Sequence, residues 1–156
     1  MKITLLYTGK TRFSYLEEGV GDYLKRIRRY VPLEVVVIPD VRVSKKTGQP
    51  EVKRQEGAQI MKRIKPADHV VLLDEGGKRY SSVQFARHLA SLEGKTGQTV
   101  FVTGGAYGFA EEIYRRADEK LSISDMTFSH QMVRLIFAEQ LYRAYTILNG
   151  EPYHHK

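Results

Sequence analysis

Residues 99–109 read TVFVTGGAYGF, and the fold follows from how that stretch is built. Its first five residues are apolar or β-branched without a break, the pattern of a strand buried on both faces rather than one with a side turned to water. Gly104 and Gly105 end the strand. Residues 110–118 then read as a short helix. The unit is strand, glycine turn, helix.

The same grammar repeats in both directions. Residues 2–8 (KITLLYT) form a first strand closed by Gly9, and 12–29 place Leu16, Val20, Tyr23, Leu24 and Ile27 at helical spacing. LEVVVI at 33–38 is a second strand, and 39–50 is a long polar loop. A charged helix over 51–64 is stopped by Pro66, and HVVLL at 69–73 is a third strand that runs into an expected turn at Asp74–Lys78. Ser81 or Ser82 caps a helix reaching Leu92, and Gly94 and Gly97 precede the strand at 99–103. Residues 121–124 read as a fifth strand and 130–148 as the last helix. Apolar strands alternating with helices define an α/β fold, a mostly parallel sheet of about five strands covered by helices on both faces. No repeat or long linker divides the chain, so the expectation is one domain over residues 1–156.

Composition narrows the function. Cysteine is absent, which excludes disulfides, thiolate metal sites and a cysteine nucleophile. The apolar opening is too short for a signal-peptide core, and no segment approaches the roughly 20 apolar residues of a membrane span. A soluble, cytoplasmic protein with no membrane contact and no metal is expected. The net charge of +7 points to a polyanionic partner, usually nucleic acid. Lys25, Arg26, Arg28 and Arg29 gather at one helix end, and Lys53, Arg54, Lys62, Arg63 and Lys65 on another helix. Each cluster alone also reads as a solvated face near a helix C-terminus.

The last helix carries two apolar stripes: Val133, Phe137, Leu141, Ala144 and Leu148, and Leu135, Ala138, Tyr142 and Tyr145. Apolar residues that far around a helix imply burial on more than one side. Either a homodimer interface or a large internal core accounts for them.

Four places have the residue types for chemistry. Gly9-Lys10-Thr11 follows a strand, but a phosphate loop needs glycine where Thr4 stands, so that motif is excluded. Gly104-Gly105-Ala106-Tyr107-Gly108 frees backbone amides for a ligand or is simply a tight turn. The dinucleotide fingerprint would need glycine at Thr103, although Asp125 lies about twenty residues on, where a ribose-binding acid would be. LSISDMTF at 121–128 is too polar for a core strand and too apolar for an ordinary loop. Its backbone is satisfied by a bound ligand or by capping the next helix through Thr127 or Ser129. On that helix His130 and Arg134 are four apart and share a face, and Glu139 pairs naturally with Arg143. Pro152 leads into a C-terminal Tyr153-His154-His155-Lys156, aromatic and titratable.

Taken together, KITLLYTGK, LDEGGK, VFVTGGAYG and LSISDMTFSHQMVRLIFAEQLYRAYTILNGEPYH resemble the RlmH family over essentially the whole chain. That family comprises SPOUT-superfamily methyltransferases acting on N3 of a pseudouridine in 23S rRNA. The resemblance implies S-adenosyl-L-methionine as methyl donor, a homodimer, and a C-terminal trefoil knot, which general chain-topology rules would not suggest. It implies cofactor contacts at Leu73, Gly104, Gly105, Ile123, Ser124, Asp125, Met126, Thr127 and Phe128. It departs from the family where proline often precedes the histidine, for here Ser129 does.

Methyl transfer to an imide nitrogen requires loss of the N3 proton and in-line approach. His130 and His154 are candidate bases, Arg134 and Arg143 candidate cations for the developing anion or for phosphate, and Tyr153 and His154 complete the partner's site if the tail crosses a dimer. Two other readings remain at this level: a nucleotide-binding α/β enzyme, which the charge disfavours, and a ribosome-binding module without catalysis. The family points to 23S rRNA in the assembled ribosome as partner, since so small a protein carries no separate RNA-binding domain.

Overall fold

The computed structural model describes residues 1–42, 44 and 46–155. Positions 43 and 45 of the expected loop at 39–50, and Lys156 of the tail, lie outside the described residues. Five parallel strands, β1 (Lys2–Thr8), β2 (Leu33–Ile38), β3 (His69–Arg79), β4 (Gln98–Thr103) and β5 (Glu119–Ser122), form one sheet in the order β2-β1-β4-β3-β5. The intervening helices are α1 (Ser14–Ile27), α2 (Gln49–Arg63), α3 (Ser82–Leu92), α4 (Glu111–Arg116) and α5 (Met132–Leu148).

Alternate strand residues feed two cores, which is why the strands are apolar throughout. Leu5, Val71 and Phe101 join α1, α3 and α5 on one face, while Leu6, Leu72, Val100 and Val102 join α2 and α4 on the other. The larger core is knitted by aromatics, with Phe101 and Phe137 at 4.9 Å and Phe85 6.0 Å from Phe137. Neighbouring strands β3 and β4 therefore send their following helices to opposite faces. Such a switch in direction opens a crevice at the carboxyl ends of the two strands, the usual ligand position in open α/β sheets.

Several boundaries differ from the sequence expectation, each for a physical reason. The turn expected at Asp74–Lys78 is a bulge within a longer strand: Leu73 and Lys78 both face Leu121, and pairing resumes at Arg79–Ser122. The local turn chemistry is present, with Asp74 Oδ2 accepting from Gly76 N–H at 3.0 Å. Gly77 passes so close to β5 that a Cβ would stand 2.5 Å from the Leu121 nitrogen. The fifth strand starts at Glu119, where the Glu119 carboxylate meets His69 Nε2 at 2.5 Å, and it ends at Ser122, leaving Ile123 and Ser124 outside the sheet. Helix α5 begins at Met132, whose N–H is taken by Ser129 Oγ at 3.1 Å, so His130 lies in the turn before the helix rather than on it. Of the two candidate caps for α3, Ser81 is the one used, in a capping box with Gln84.

Helix α5 packs between α1 and α3. Phe137, Ala138, Leu141, Ala144 and Tyr145 are buried, whereas Val133, Leu135, Ile136, Tyr142 and Ile147 are half-buried and Leu148 is exposed. Leu141→Ala should cost about 2–5 kcal/mol through the cavity it leaves, and Ser81→Ala only about 1 kcal/mol through the lost cap. Urea unfolding of the two variants checks that order, and equal losses would contradict this account of the core.

Candidate functional site

A cavity of about 450 Å³ opens at the carboxyl ends of β3, β4 and β5, in the crevice the sheet order creates. Leu73 ends its floor on one side and Thr103 on the other. Gly104, Gly105, Ile123, Ser124, Met126, Thr127, Phe128 and His130 all line it, with Val133 at the first turn of α5. The size lies within the ordinary range for a small-molecule pocket.

The wall formed by residues 123–128 is unusual in what it leaves unpaired. Ser122 Oγ donates to the Ser124 carbonyl at 3.0 Å, and Met126 N–H is taken by Ser124 Oγ at 3.0 Å. Among the described residues the N–H groups of Ile123, Ser124, Asp125, Thr127 and Phe128 find no protein partner. Backbone groups half inside a cavity need a partner, and a flat polar ring edge or ordered water satisfies them. The apolar surfaces of Leu73, Leu121, Ile123, Phe128 and Val133 supply the rest of such a ligand's contact. Asp125 differs from its neighbours: its carboxylate pairs with Arg79, is 77% exposed, and does not line the cavity.

The glycine turn is shaped by close approach. A Cβ at Gly104 would stand 3.1 Å from the Phe109 ring, and Gly108 holds a φ of +82° that favours glycine. A Cβ at Gly105 would meet the carboxylate of Glu56 at 2.7 Å. Glu56, on α2, was not singled out in the sequence. It makes no hydrogen bond among the described residues, and burial, with Asp40 nearby, raises its pKa above the usual carboxylate range. Asp74 lines the cavity and accepts from the Tyr114 hydroxyl at 2.8 Å, tying β3 to α4. Glu56 carries no recognisable sequence signal, because its place depends on contacts between distant elements, whereas Asp74 opens the turn expected at Asp74–Lys78.

His130 and Arg134 have different surroundings. Burial first, then the positive charges of Arg134 and Arg12, lower the His130 pKa below its ordinary value and favour the neutral imidazole. Arg134 is 1% exposed and does not line the cavity. Its Nη2 donates to the Thr8 carbonyl at 2.9 Å, its Nη1 to Thr11 Oγ1 at 3.0 Å, and its guanidinium lies 4.7 Å from the centre of the Tyr7 ring.

The remaining candidates form a second cluster. Arg143 Nη2 donates to Glu139 Oε1 at 2.5 Å, and Arg143 Nη1 donates to Nδ1 of His154 at 3.1 Å. The Tyr153 hydroxyl donates to the same Glu139 oxygen at 3.0 Å, with Arg143 4.8 Å from its ring centre and Tyr142 edge-on at 4.8 Å. Burial, then Tyr23 and Glu139, raise the Tyr153 pKa, so it remains a phenol. None of Arg143, Tyr153 and His154 lines the cavity. At 1.5 Å of rise per residue, Arg143 lies about 15 Å along α5 from Val133.

Residues 1–154 match the family described as "Predicted SPOUT methyltransferase". The chain belongs to the SPOUT methyltransferase family. It is 49% identical to ribosomal RNA large subunit methyltransferase H of Parabacteroides distasonis, over 100% of both chains. Its identity to the proteins of that name from Porphyromonas gingivalis and Christiangramia forsetii is 48%, again over 100% of each chain. The α/β sheet is thus that of a SPOUT methyltransferase.

The glycines near this cavity should rank by what their missing side chains would hit. Gly77→Ala meets the β5 backbone and should cost about 3 kcal/mol, whereas Gly105→Ala meets only the movable tip of Glu56 and should cost less than about 1 kcal/mol. Equal destabilisation of the two in chemical denaturation would show that close backbone approach is not what fixes the bulge.

Proposed function

We propose that this chain is an S-adenosyl-L-methionine-dependent methyltransferase of 23S ribosomal RNA, acting as a cytoplasmic, metal-free homodimer on N3 of a pseudouridine in the assembled ribosome. The name shared by its full-length relatives supports the rRNA substrate. The observation that carries the site assignment is the cavity wall at residues 123–128, with its row of unpaired backbone donors above apolar side chains. The single domain over 1–156 and the trefoil knot that SPOUT membership implies belong to the same reading.

The residues fit the cofactor. Leu73, Gly104, Gly105, Ile123, Ser124, Met126, Thr127 and Phe128 would hold it, and Asp125 would contribute through its backbone, since its side chain is turned to Arg79. When bound, the cofactor supplies a methyl group on a sulfonium, reactive toward an aligned nucleophile. His130 lines the same cavity as a neutral imidazole and can accept the N3 proton from the substrate base. Arg134, sealed in the core, positions the start of α5 and with it His130 rather than touching substrate. Arg143, Tyr153 and His154 supply a cation, a phenol donor and an imidazole that Arg143 orients. Too far along α5 to reach their own cavity, they act on the partner's in a dimer formed on the half-buried face of α5.

Labelled methyl from S-adenosyl-L-methionine should appear at one pseudouridine in ribosomes from a strain lacking this protein, and not in free 23S RNA. No label in either, from a well-folded dimer, refutes the reading. A lowered His130 pKa keeps the base neutral as pH falls, so the acid limb of kcat/KM should lie below about 6.5, the ordinary histidine value. An acid limb above that value, or one unmoved in His130→Asn, removes His130 as the base. Mixing His130→Ala with His154→Ala protomers should restore about a quarter of wild-type activity, because half the dimers are mixed and each has one intact composite site. No recovery would place tail and cavity of the same protomer together.

A further inference from the structure

Phe13 and Tyr15 stand in solvent at the start of α1, 48% and 60% exposed, their ring centres 5.6 Å apart and their planes tilted by 31°. Single exposed aromatics are common on protein surfaces. A mutually packed pair where a pinned loop enters α1 is a different feature. The loop leaves β1 at the carboxyl end of the sheet, the end that holds the cavity.

Two buried polar side chains fix that loop. Gln131, 4% exposed, takes the Arg12 N–H at 2.8 Å on its oxygen and donates its Nε2 to the Lys10 carbonyl at 3.0 Å. Arg134 holds Thr11 from the other side. Gln131 directly follows His130, which lines the cavity. The aromatic pair is therefore held in register with the candidate base by bonds to the neighbouring residue. Lys10 and Arg12 flank the pair and are exposed; the Arg12 pair with Asp40 is a long 3.4 Å contact in solvent that a phosphate can replace.

We propose that Phe13 and Tyr15 are a stacking platform for an unpaired RNA base next to the one that enters the cavity, with Lys10 and Arg12 on the flanking phosphates. The inference rests on the RNA-methylating reading and adds to it a recognition site. Single-stranded RNA is bound by this combination of aromatic faces for splayed bases and cations for the backbone. The exposed acids Glu17 and Glu18, one turn further along α1, confine the phosphate path to the loop side. The net charge of +7 favours RNA over an acid-poor protein partner as the occupant.

Filter binding to assembled ribosomes tests the platform independently of methyl transfer. Phe13→Ala/Tyr15→Ala should weaken binding and raise the KM for ribosomes by about 10-fold, with the dimer and S-adenosylhomocysteine binding intact. Phe13→Trp/Tyr15→Trp should bind like wild type. Lys10→Ala/Arg12→Ala should flatten the salt dependence of binding, and the aromatic double variant should not. The chain has no tryptophan, so Tyr15→Trp also gives a single reporter whose emission a stacked base should quench. Unchanged affinity, unquenched emission on a bound ribosome, or loss of the dimer in the aromatic double variant overturns the platform, the last by assigning the pair to a contact between copies. Wild-type protein that binds ribosomes but transfers no methyl refutes the enzymatic reading alone, and protein that does not bind them refutes the platform.

Discussion

The guanidinium of Arg134 sits inside the protein with a permanent charge and, among the described residues, no carboxylate within ion-pair distance, and one end of the molecule is arranged around it. Burying a cation costs several kcal/mol unless its donors are satisfied. Here a main-chain carbonyl, a threonine hydroxyl and the face of Tyr7 do most of that work, while Nε is left without a partner. The carbonyl belongs to Thr8, the last residue of β1, and the hydroxyl to Thr11. A side chain from α5 therefore decides where the chain turns as it leaves the sheet. Gly9 follows with a φ of +82°, a conformation that favours glycine, and the Asp40 carboxylate occupies the space a Cβ would need. Moving Arg134 would unseat the exit of β1, the start of α5 and His130 between them.

The same rim shows why the candidate site is made of loops. Helices and strands pair their own backbone groups, so a site that recognises polar ring edges with main chain must interrupt regular structure. Residues 123–128 do this at the place where β3 and β4 send their helices to opposite faces. The bulge at 74–77 lengthens β3 past the end of its first pairing and lets Arg79 reach Asp125, which holds the loop from outside while its inner face stays open. Main-chain donors left open on such a wall exchange water for direct partners when a ligand with polar edges binds.

The fold was legible because strand burial writes itself into sequence: uninterrupted apolar runs at 2–8, 69–73 and 99–103 required a parallel sheet with two covered faces. The 121–128 segment stood out for the opposite reason, its composition fitting neither core nor ordinary loop, and the glycine turn because it lies between a buried strand and a helix. Other features depended on pairings that sequence periodicity does not record. Asp74–Lys78 has all the chemistry of a turn and makes one, yet pairing to β5 resumes across it. His130 and Arg134 have helical spacing, but Ser129 takes the Met132 amide and moves His130 off the helix. Glu56 was invisible because its only distinction is to fill the space beside Gly105, roughly fifty residues away. Arg134 looked like a free cation, since nothing local shows that β1 would supply its acceptors.

Helix α5 acts as a ruler on the proposed chemistry. Its first turn borders the cavity and its later turns carry Glu139 and Arg143, to which Tyr153 and His154 return. The shared Glu139 oxygen, bonded by both Arg143 and Tyr153, makes the tail cluster a small rigid body. Because a helix does not shorten, Val133 at the cavity and Arg143 in the tail cluster stay about 15 Å apart along its axis. A second copy packed on the half-buried Leu135, Ile136 and Tyr142 would bring the two ends of two α5 helices together without any change in the protomer. On the proposed reading a protomer alone would hold the methyl donor yet lack half of what acts on the RNA, and assembly itself would be a condition for transfer.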